Sequence, residues 1–446
     1  MNKFQKFIVW ITFSFAGIAV AQERPAQWTL QSCIQYALSQ NISIQKSRNT
    51  LDQNSVNTST AKAALFPSLA FSTSHNYANQ PYGGNGSVGD SFNDGSTNTY
   101  SGSYRLSAQW TLFNGGKNTK NIRYSQLQEE MSRQEIYQLE NQIELSITQA
   151  YMQILYAAEA IRINQATLST DSAQLQRGKE LLKAGMLTQT EIAQLESQCS
   201  TDQYQVVKAQ MQFENYKLQL KQLLEITGEE DMNLSLPEIA DEQILTPLPS
   251  KANVYVTALE IMPEIKNSKL STEAALLNEQ IAKAGYMPTL SLQASTGTGH
   301  NSGANNNFGQ QLKRGWNNNI GLSLSIPIFD NRSNKSAVEK AKLQTLNSRL
   351  SETEEQKTLY KSIENAWQDA YSSQNEFLAA NEKEKYAAAS YNLVNEQFSA
   401  GLKNTVELLT EKNNLLNARQ EKLQAKFMAL LNQKLLNFYK GESPTL

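Results

Sequence analysis

Ala61-Lys62-Ala63-Ala64-Leu65-Phe66-Pro67-Ser68-Leu69 is answered later in the chain by Ala282-Lys283-Ala284-Gly285-Tyr286-Met287-Pro288-Thr289-Leu290. The offset between the two is 221 residues, and it holds at Ala37/Ala258, Ser47/Ser268 and Pro67/Pro288. It falls to 216 at Phe113/Phe329 and Gly185/Gly401, because the second copy has the shorter loop. One long pattern is therefore written twice: a helix, a strand opened by proline, a polar loop, a second strand and two long helices. The first repeat covers 22–227, with strands at 66–78 and 100–113 around a loop at 79–99, a helix over 118–183 and another over 188–226. The second covers 252–446, with strands at 286–296 and 317–329 around a loop at 297–316, then helices over 333–399 and 404–440. Residues 228–251, with Pro237, Pro247 and Pro249, join the repeats and are expected to form a belt around the helices.

The strands alternate with period two. Tyr104, Leu106, Ala108, Trp110 and Leu112 share one face, and Ser103, Arg105, Ser107, Gln109 and Thr111 the other. Ile320, Leu322, Leu324, Ile326 and Ile328 stand against Gly321, Ser323, Ser325 and Pro327 in the same way. The shorter sets are Leu69, Phe71 and Thr73, and Leu290, Leu292 and Ala294. About 9–11 alternating residues suffice for a tilted strand to cross a bilayer. A half-buried sheet of a soluble protein alternates too, so the strands alone leave both readings open. The long Gly- and Asn-rich loops at 79–99 and 297–316 are like the outer loops of membrane barrels, and Tyr77, Tyr100, Trp110 and Trp316 suit aromatic girdles. Four strands cannot close a barrel, and lipid does not tolerate open sheet edges. Several chains must then contribute, and three would give twelve strands.

The segment 118–183 contains no proline, and at 1.5 Å per residue it spans about 100 Å. Its apolar residues, Ile136, Leu139, Ile143, Ile147, Ala150, Ile154, Ala158 and Ile161, step by three and four in an 11-residue repeat. Leu168, Leu175 and Leu182 then step by seven, as do Ile192, Cys199, Val206, Phe213 and Leu220 on the return helix and Leu409, Leu416, Leu423 and Leu430 in the second copy. A change from 11-residue to 7-residue spacing predicts a bundle that is straight near the strands and supercoiled towards its far tip. Helices over about 34–64 and 255–285 supply the length the return helices lack, so short helices can stack end to end beside each long one.

Residues 1–21 read as a secretory signal: Lys3 and Lys6, an apolar run from Phe7 to Ala16, and Ala19-Val20-Ala21 before Gln22. A membrane anchor is the other reading of this segment. The formal charge is −2, with no basic tract, which argues against nucleic acid as a partner. A mean hydropathy of −0.50 with 40% hydrophobic residues suits an elongated body. Of the two cysteines, Cys199 is expected to be buried, and a Cys33–Cys199 disulfide would need Cα atoms within about 7 Å. The two histidines, His75 and His300, lie at strand–loop boundaries with no ligand-spaced cluster around them. The nine methionines are scattered. No phosphate loop or nucleophile elbow is present. Neither an enzyme activity nor a cofactor is expected.

The tandem pattern, the Phe66-Pro67-Ser68-Leu69 and Met287-Pro288-Thr289-Leu290 strand starts, and the strand ends Thr111-Leu112-Phe113-Asn114-Gly115-Gly116 and Pro327-Ile328-Phe329-Asp330-Asn331 resemble the TolC-like outer-membrane efflux proteins. The resemblance spans nearly the whole mature chain. It implies an α+β membrane protein: a homotrimer with a twelve-stranded outer-membrane β-barrel, four strands per chain, continuous with a long periplasmic α-helical barrel. Its partners would be outer-membrane lipid, a periplasmic adaptor and an inner-membrane transporter, in a tripartite efflux pump or a type I secretion system.

The resemblance also marks the turns. Ala184-Gly185-Met186 and Ala400-Gly401-Leu402 resemble the tips where adaptors dock, although efficient turn chemistry alone accounts for these residues. Each glycine is followed six residues later by a glutamate, Glu191 or Glu407. Glu407 and Glu411, four apart on one helix face, match or adjoin the family's gate carboxylates; Thr410 stands where the second family acid would be. As solvated surface acids they would need no such role. Glu191 and Lys403 match an entrance latch, and Phe398 stands where the family has a tyrosine. A passive channel is the first reading. A structural or adhesive coiled-coil envelope protein is the second, and the splitting of the strands between two copies favours the channel.

Overall fold

The computed structural model describes residues 27–80, 97–228, 231–302 and 306–443. The signal segment 1–21 and residues 81–96 of the first loop lie outside the described residues. In chain order the elements are α1 (Leu30–Gln40), α2 (Ile42–Ala63), β1 (Ser68–Gln80), β2 (Thr97–Asn114), α3 (Lys117–Lys183) and α4 (Gln189–Leu223). There follow α5 (Lys251–Ile261), α6 (Pro263–Lys283), β3 (Thr289–Asn301), α7 (Phe308–Arg314), β4 (Asn317–Ser325), α8 (Ser333–Ser399) and α9 (Thr405–Phe438).

Several boundaries differ from the sequence expectation, each for a local reason. The helices expected over 34–64 and 255–285 are each broken in two. Asn41 ends α1 and starts α2, its side chain accepting from the Ser43 and Ile44 amides. At the equivalent break Met262 precedes Pro263, which opens α6 at its first position. The strands reach further outward than expected, to Gln80 and Asn301, and the loop at 297–316 holds the end of β3 and all of α7. β4 stops at Ser325 rather than 329, because Pro327 has no N–H to give to a ladder.

The four strands form one antiparallel sheet in the order β1-β2-β3-β4. Its register lines the apolar residues up in rows. Leu69, Ala108, Ala294 and Ile320 lie opposite one another, and so do Trp110, Leu292 and Leu322. The other face carries Ser68, Gln109, Gln293 and Gly321, and two rows outward Ser72, Arg105, Gly297 and Asn317. An irregularity between Thr111 and Phe113 makes Leu112 an extra residue in β2. Among the described residues no long helix packs over either face. Leu69, Phe71, Ile320 and Leu322 are therefore 65–80% exposed in the single chain. A soluble half-buried sheet would have covered that apolar face. Tyr77 opposes Tyr100 at the outer end of the same face, and Trp110 donates its indole N–H to the Leu65 carbonyl at the helical end.

Each sheet half passes into a long helix through a left-handed pair. Gly115 and Gly116 (φ 67° and 74°) lead into α3, and Asn331 and Arg332 (φ 50° and 66°) lead into α8. α3 and α8 have 67 residues each, about 100 Å of helix. α2 lies on the strand-side part of α3, where Asn54 donates to Ser132 (2.6 Å). α4 lies on the far part, where Lys179 meets Glu196 (2.9 Å). α6 and α9 take the same places beside α8, through Thr272–Glu352 (2.8 Å) and Lys383–Glu421 (2.5 Å).

The apolar cores sit at mid-length. One joins Cys33, Ile34, Ile147, Tyr151, Ile154, Leu220 and Met232; its counterpart joins Val254, Ile265, Ile363, Ala366 and Leu436. The repeat partners Ala37 and Ala258 are both in these cores, at 1% and 0% exposed. The inter-repeat segment straps across them. Trp28 pairs with Leu234, Gln374 donates to the carbonyls of Ile244 and Thr246 (2.7 and 3.0 Å), and Trp367 donates to that of Pro249 (2.9 Å). Both cysteines are free thiols: Cys33 is buried, and Cys199 is half-buried rather than buried as expected. Burial pushes the Cys33 thiol up to about 12, which leaves it unreactive.

The buried Tyr151 hydroxyl donates to the backbone carbonyls of Trp28 (3.4 Å) and Ser235, fixing the start and the strap of the first repeat to α3. Tyr151→Phe is expected to destabilise this region by about 1–3 kcal/mol, chiefly by taking the hydroxyl from the Ser235 carbonyl, since the Trp28 carbonyl keeps the Ser235 amide (2.9 Å). A lowered midpoint for the mid-length region in thermal unfolding, with unchanged barrel stability, checks it.

Candidate functional site

At the far end of the helices two turns of the same construction lie side by side. α3 ends at Ala184, and Gly185 takes φ 72°. The Gly185 amide donates to Leu182 and the Met186 amide to Leu181, both at 2.9 Å. In the second turn Gly401 takes φ 76°, its amide donating to Phe398 (3.0 Å) and that of Leu402 to Gln397 (2.9 Å). Both are Schellman motifs, in which a left-handed residue lets the chain satisfy the last helix carbonyls. A Cβ at Gly185 or Gly401 would meet nothing within 4 Å. Glycine is needed for the backbone angle, not for space. Met186 and Leu402 are left 72% and 75% exposed.

The glutamates six residues on have a structural task. The Thr188 hydroxyl accepts from the Glu191 amide (3.3 Å), and the Glu191 carboxylate accepts from the Thr188 amide (2.8 Å). Asn404 and Glu407 exchange the same two bonds at 3.0 and 3.1 Å. These are capping boxes. The Thr188 amide and hydroxyl hold the Glu191 carboxyl below the usual carboxylate range. Lys403 chiefly, with the Asn404 amide, does the same for Glu407.

Within one chain Lys403 does not meet Glu191. Its ammonium lies 2.5 Å from Glu407, four residues on, reaching from the turn just before α9 into that helix's first turn, a pairing that requires no second element to be brought in. Glu191 instead accepts from the Thr405 hydroxyl (3.4 Å), joining the two turns. Glu411 turns towards α8 and accepts from Ser390 (2.9 Å). Phe398 is buried with Tyr391, Leu408 and Leu415, so a hydroxyl there would be lost inside the α8/α9 pair. Ala184 and Ala400 are exposed.

The apolar stripe expected on α4 is buried at Ile192, Leu195, Val206 and Leu220, as are Leu423 and Leu430 on α9, but near the turns the buried lines of α3 and α9 are not the expected leucine stripes. Leu168, Leu175 and Leu182 are only half-buried, while Asn164, Thr167, Asp171 and Gly178 form the buried line of α3. On α9 the buried line is Thr405, Leu408, Lys412 and Leu415, one position off the Leu409/Leu416 stripe. On α4 Asp202 is 3% exposed. These polar seam positions converge. Lys412 donates to Asp171 and to Asp202 (2.7 Å), with all three at most 5% exposed, so one ammonium pins α9 to both α3 and α4. Burial lowers the Lys412 ammonium to about 8 and raises the Asp202 carboxyl. Sequence reasoning missed this triad, because a search for apolar periodicity passes over charges on the seam. The heptad positions 192, 195, 199, 202, 206 would have shown Asp202 on it.

A single-layer sheet with open edges, running into long paired helices with capped far turns, is one chain's share of a membrane channel. Residues 33–225 and 254–441 match the outer membrane efflux protein family, and the chain belongs to it. The two matched stretches are the two internal repeats. The outer membrane protein TolC of Escherichia coli K12 is 24% identical over 451 residues, spanning 97% of this chain and 85% of that protein. The outer membrane efflux protein BepC of Brucella suis biovar 1 is 23% identical, over 95% of this chain and 87% of that one. The solved structure of CusC superposes with a TM-score of 0.79 at 16% identity, over 92% and 91% of the two chains. The chain is an efflux-channel protein of the Gram-negative outer membrane, with its helices extending into the periplasm.

Lys412→Met, which strands two buried carboxylates, is expected to destabilise the far coil by about 3–5 kcal/mol. The triple replacement Lys412→Met, Asp171→Leu, Asp202→Leu should recover most of that loss, read from protease resistance of the helical end. A second expectation concerns pH. Both capping carboxyls lie below their unfolded value, so their stabilisation is complete above the usual glutamate range and is lost as pH falls through the depressed values. Hydrogen exchange at the Thr188 and Asn404 amides, corrected for intrinsic rates, should stay constant from about pH 7 to 5 and rise below about pH 4.

Proposed function

We propose that three copies of this chain close a twelve-stranded barrel and a continuous helical tube, forming the passive exit duct of a tripartite efflux pump. The observation that supports it most is the pair of unpaired sheet edges, β1 and β4, on a sheet whose apolar face is uncovered. Pairing β4 of one copy with β1 of the next satisfies the edges and turns the apolar rows to lipid and the polar rows to water. Energy would come from an inner-membrane transporter.

A periplasmic adaptor would dock on Ala184-Gly185-Met186 and Ala400-Gly401-Leu402. Two neighbouring turns with exposed apolar tips and fixed backbones offer a rigid surface to a helical hairpin. Glu407 and Glu411 are the proposed gate charges, six in a trimer. Lys403 offsets part of the Glu407 charge, which leaves Glu411 with more of the field at the mouth. For Glu191 and Lys403 to latch neighbouring chains, Lys403 would have to leave Glu407. Such an exchange is worth about 0–1 kcal/mol at an exposed site.

In planar bilayers, Glu407→Gln with Glu411→Gln should reduce cation preference and block by divalent cations, with Glu411→Gln alone giving the larger single effect. Unchanged selectivity and block would remove both residues from the gate. Gly185→Val and Gly401→Val should each lower export while trimers persist; normal export in both would place docking elsewhere.

A further inference from the structure

The chain contains only two histidines, His75 and His300, 225 residues apart, and the sheet brings them together. β1 and β3 place them on either side of Gly102 in β2, on the apolar face at its outer end. Their ring centroids are 6.0 Å apart. A Cβ on Gly102 would stand closest to His300 Cε1, 2.8 Å from His75 Nδ1 and 2.9 Å from His300 Nδ1, so both rings, with their Nδ1 atoms, border one small space that only glycine leaves open.

The hydrogen bonds around this space are uneven. His75 Nδ1 is 2.8 Å from the Tyr100 hydroxyl, and His75 Nε2 is 3.3 Å from Thr73 Oγ1. With Nε2–H donating to Thr73, Nδ1 is the unprotonated nitrogen, and its one lone pair accepts from the Tyr100 hydroxyl at the edge of this space. His300 Nδ1 is buried and has no hydrogen-bond partner among the described residues. Tyr100, Tyr104 and Phe308 pack around the His300 ring, with centroids at 5.4, 6.2 and 4.8 Å. A polar nitrogen enclosed by aromatic rings and left unpaired is costly, and the neighbouring imidazole nitrogen suggests what relieves it.

We propose that His75 Nδ1 and His300 Nδ1 together hold a borderline divalent transition-metal cation such as Zn2+ at the outer end of the sheet. Two neutral imidazole nitrogens select such a cation over Mg2+ or Ca2+, which take oxygen ligands. A Thr73 hydroxyl accepting from Nε2–H supports the tautomer the metal requires, as outer-shell partners of ligating histidines do. The Tyr100 hydroxyl gives up its bond to Nδ1 and turns to a metal-bound water. Among the described residues no third His, Cys, Asp or Glu joins the pair; in the proposed site, water at the outer rim of the sheet, beyond the lipid-facing rows, fills the remaining positions. Bound there, it staples β1 to β3 across β2 and, through the His300–Phe308 contact, holds α7 against the rim. The site requires only the sheet register, and neither the gate nor the docking turns enter into it.

The test uses the whole mature protein, purified without a histidine tag, stripped with EDTA and given Cu2+ as a paramagnetic reporter at one equivalent per chain. Electron spin-echo modulation should show two imidazole nitrogens on one copper, and Zn2+ should displace it. His75→Gln and His300→Gln should each reduce the pattern to one imidazole and weaken binding at least tenfold. Gly102→Ala, which crowds the space but keeps both rings, should weaken it too. A wild-type signal with one imidazole or none overturns the proposal even if the variants do not fold, because the chain has no other imidazole to supply.

Discussion

A row of unpaired N–H and C=O groups along β1, and another along β4, governs the rest of this structure. In water such edges are a nuisance; in hydrocarbon each unsatisfied group costs several kcal/mol. The sheet has four strands, too few to curl round and satisfy its own edges. Its apolar rows are open as well, since no long helix among the described residues covers them. Both deficits are met by the same act, edge-to-edge pairing between copies in a bilayer. The tandem repeat follows from this constraint. Each copy supplies one hairpin and one long helix pair, so that every two strands are continued by a matching share of the helical tube.

The junctions and turns carry that register over a long distance. The left-handed pairs at 115–116 and 331–332 are equivalent in the two repeats although one is Gly-Gly and the other Asn-Arg. Asparagine tolerates that region best among non-glycine residues, while arginine there is held by its setting. At the far end the two Schellman turns and their capping boxes are nearly superimposable chemistry, differing in Thr188 against Asn404. Between these ends the strap at 231–249 and the Lys412 triad fix one helix pair to the other. The triad is the more selective device. Buried charges disfavour any packing in which the ammonium and both carboxylates are not together, which specifies how α9 sits on α3 and α4.

The sequence made the architecture plain because repetition, period-two strands and proline-free helices are all patterns of apolar spacing. The offset of 221 residues alone placed Ala37 and Ala258 in equivalent cores. What it hid was chemistry that breaks those patterns. Asp171, Asp202 and Lys412 occupy seam positions that a hydrophobic scan discards, and Leu168, Leu175 and Leu182 attracted attention from the line that is buried in the chain. Glu191 and Glu407 showed the right spacing, six residues past a glycine, but that spacing is also the capping box, and the structure gives them that work first. His75 and His300 looked isolated because their proximity depends on strand pairing across Gly102, which no local window contains. The helix breaks at Asn41 and Met262 have only local signals, a cap residue and a residue before proline, which apolar spacing does not register.

The central claim is that a single chain is an incomplete wall, finished only by copies of itself. Native mass spectrometry of protein released from detergent tests it most directly. The expected species has three times the mass of the mature chain and resists dissociation until the strands unfold. A folded, stable monomer of single-chain mass, with its β1 and β4 amides protected from exchange, would contradict it.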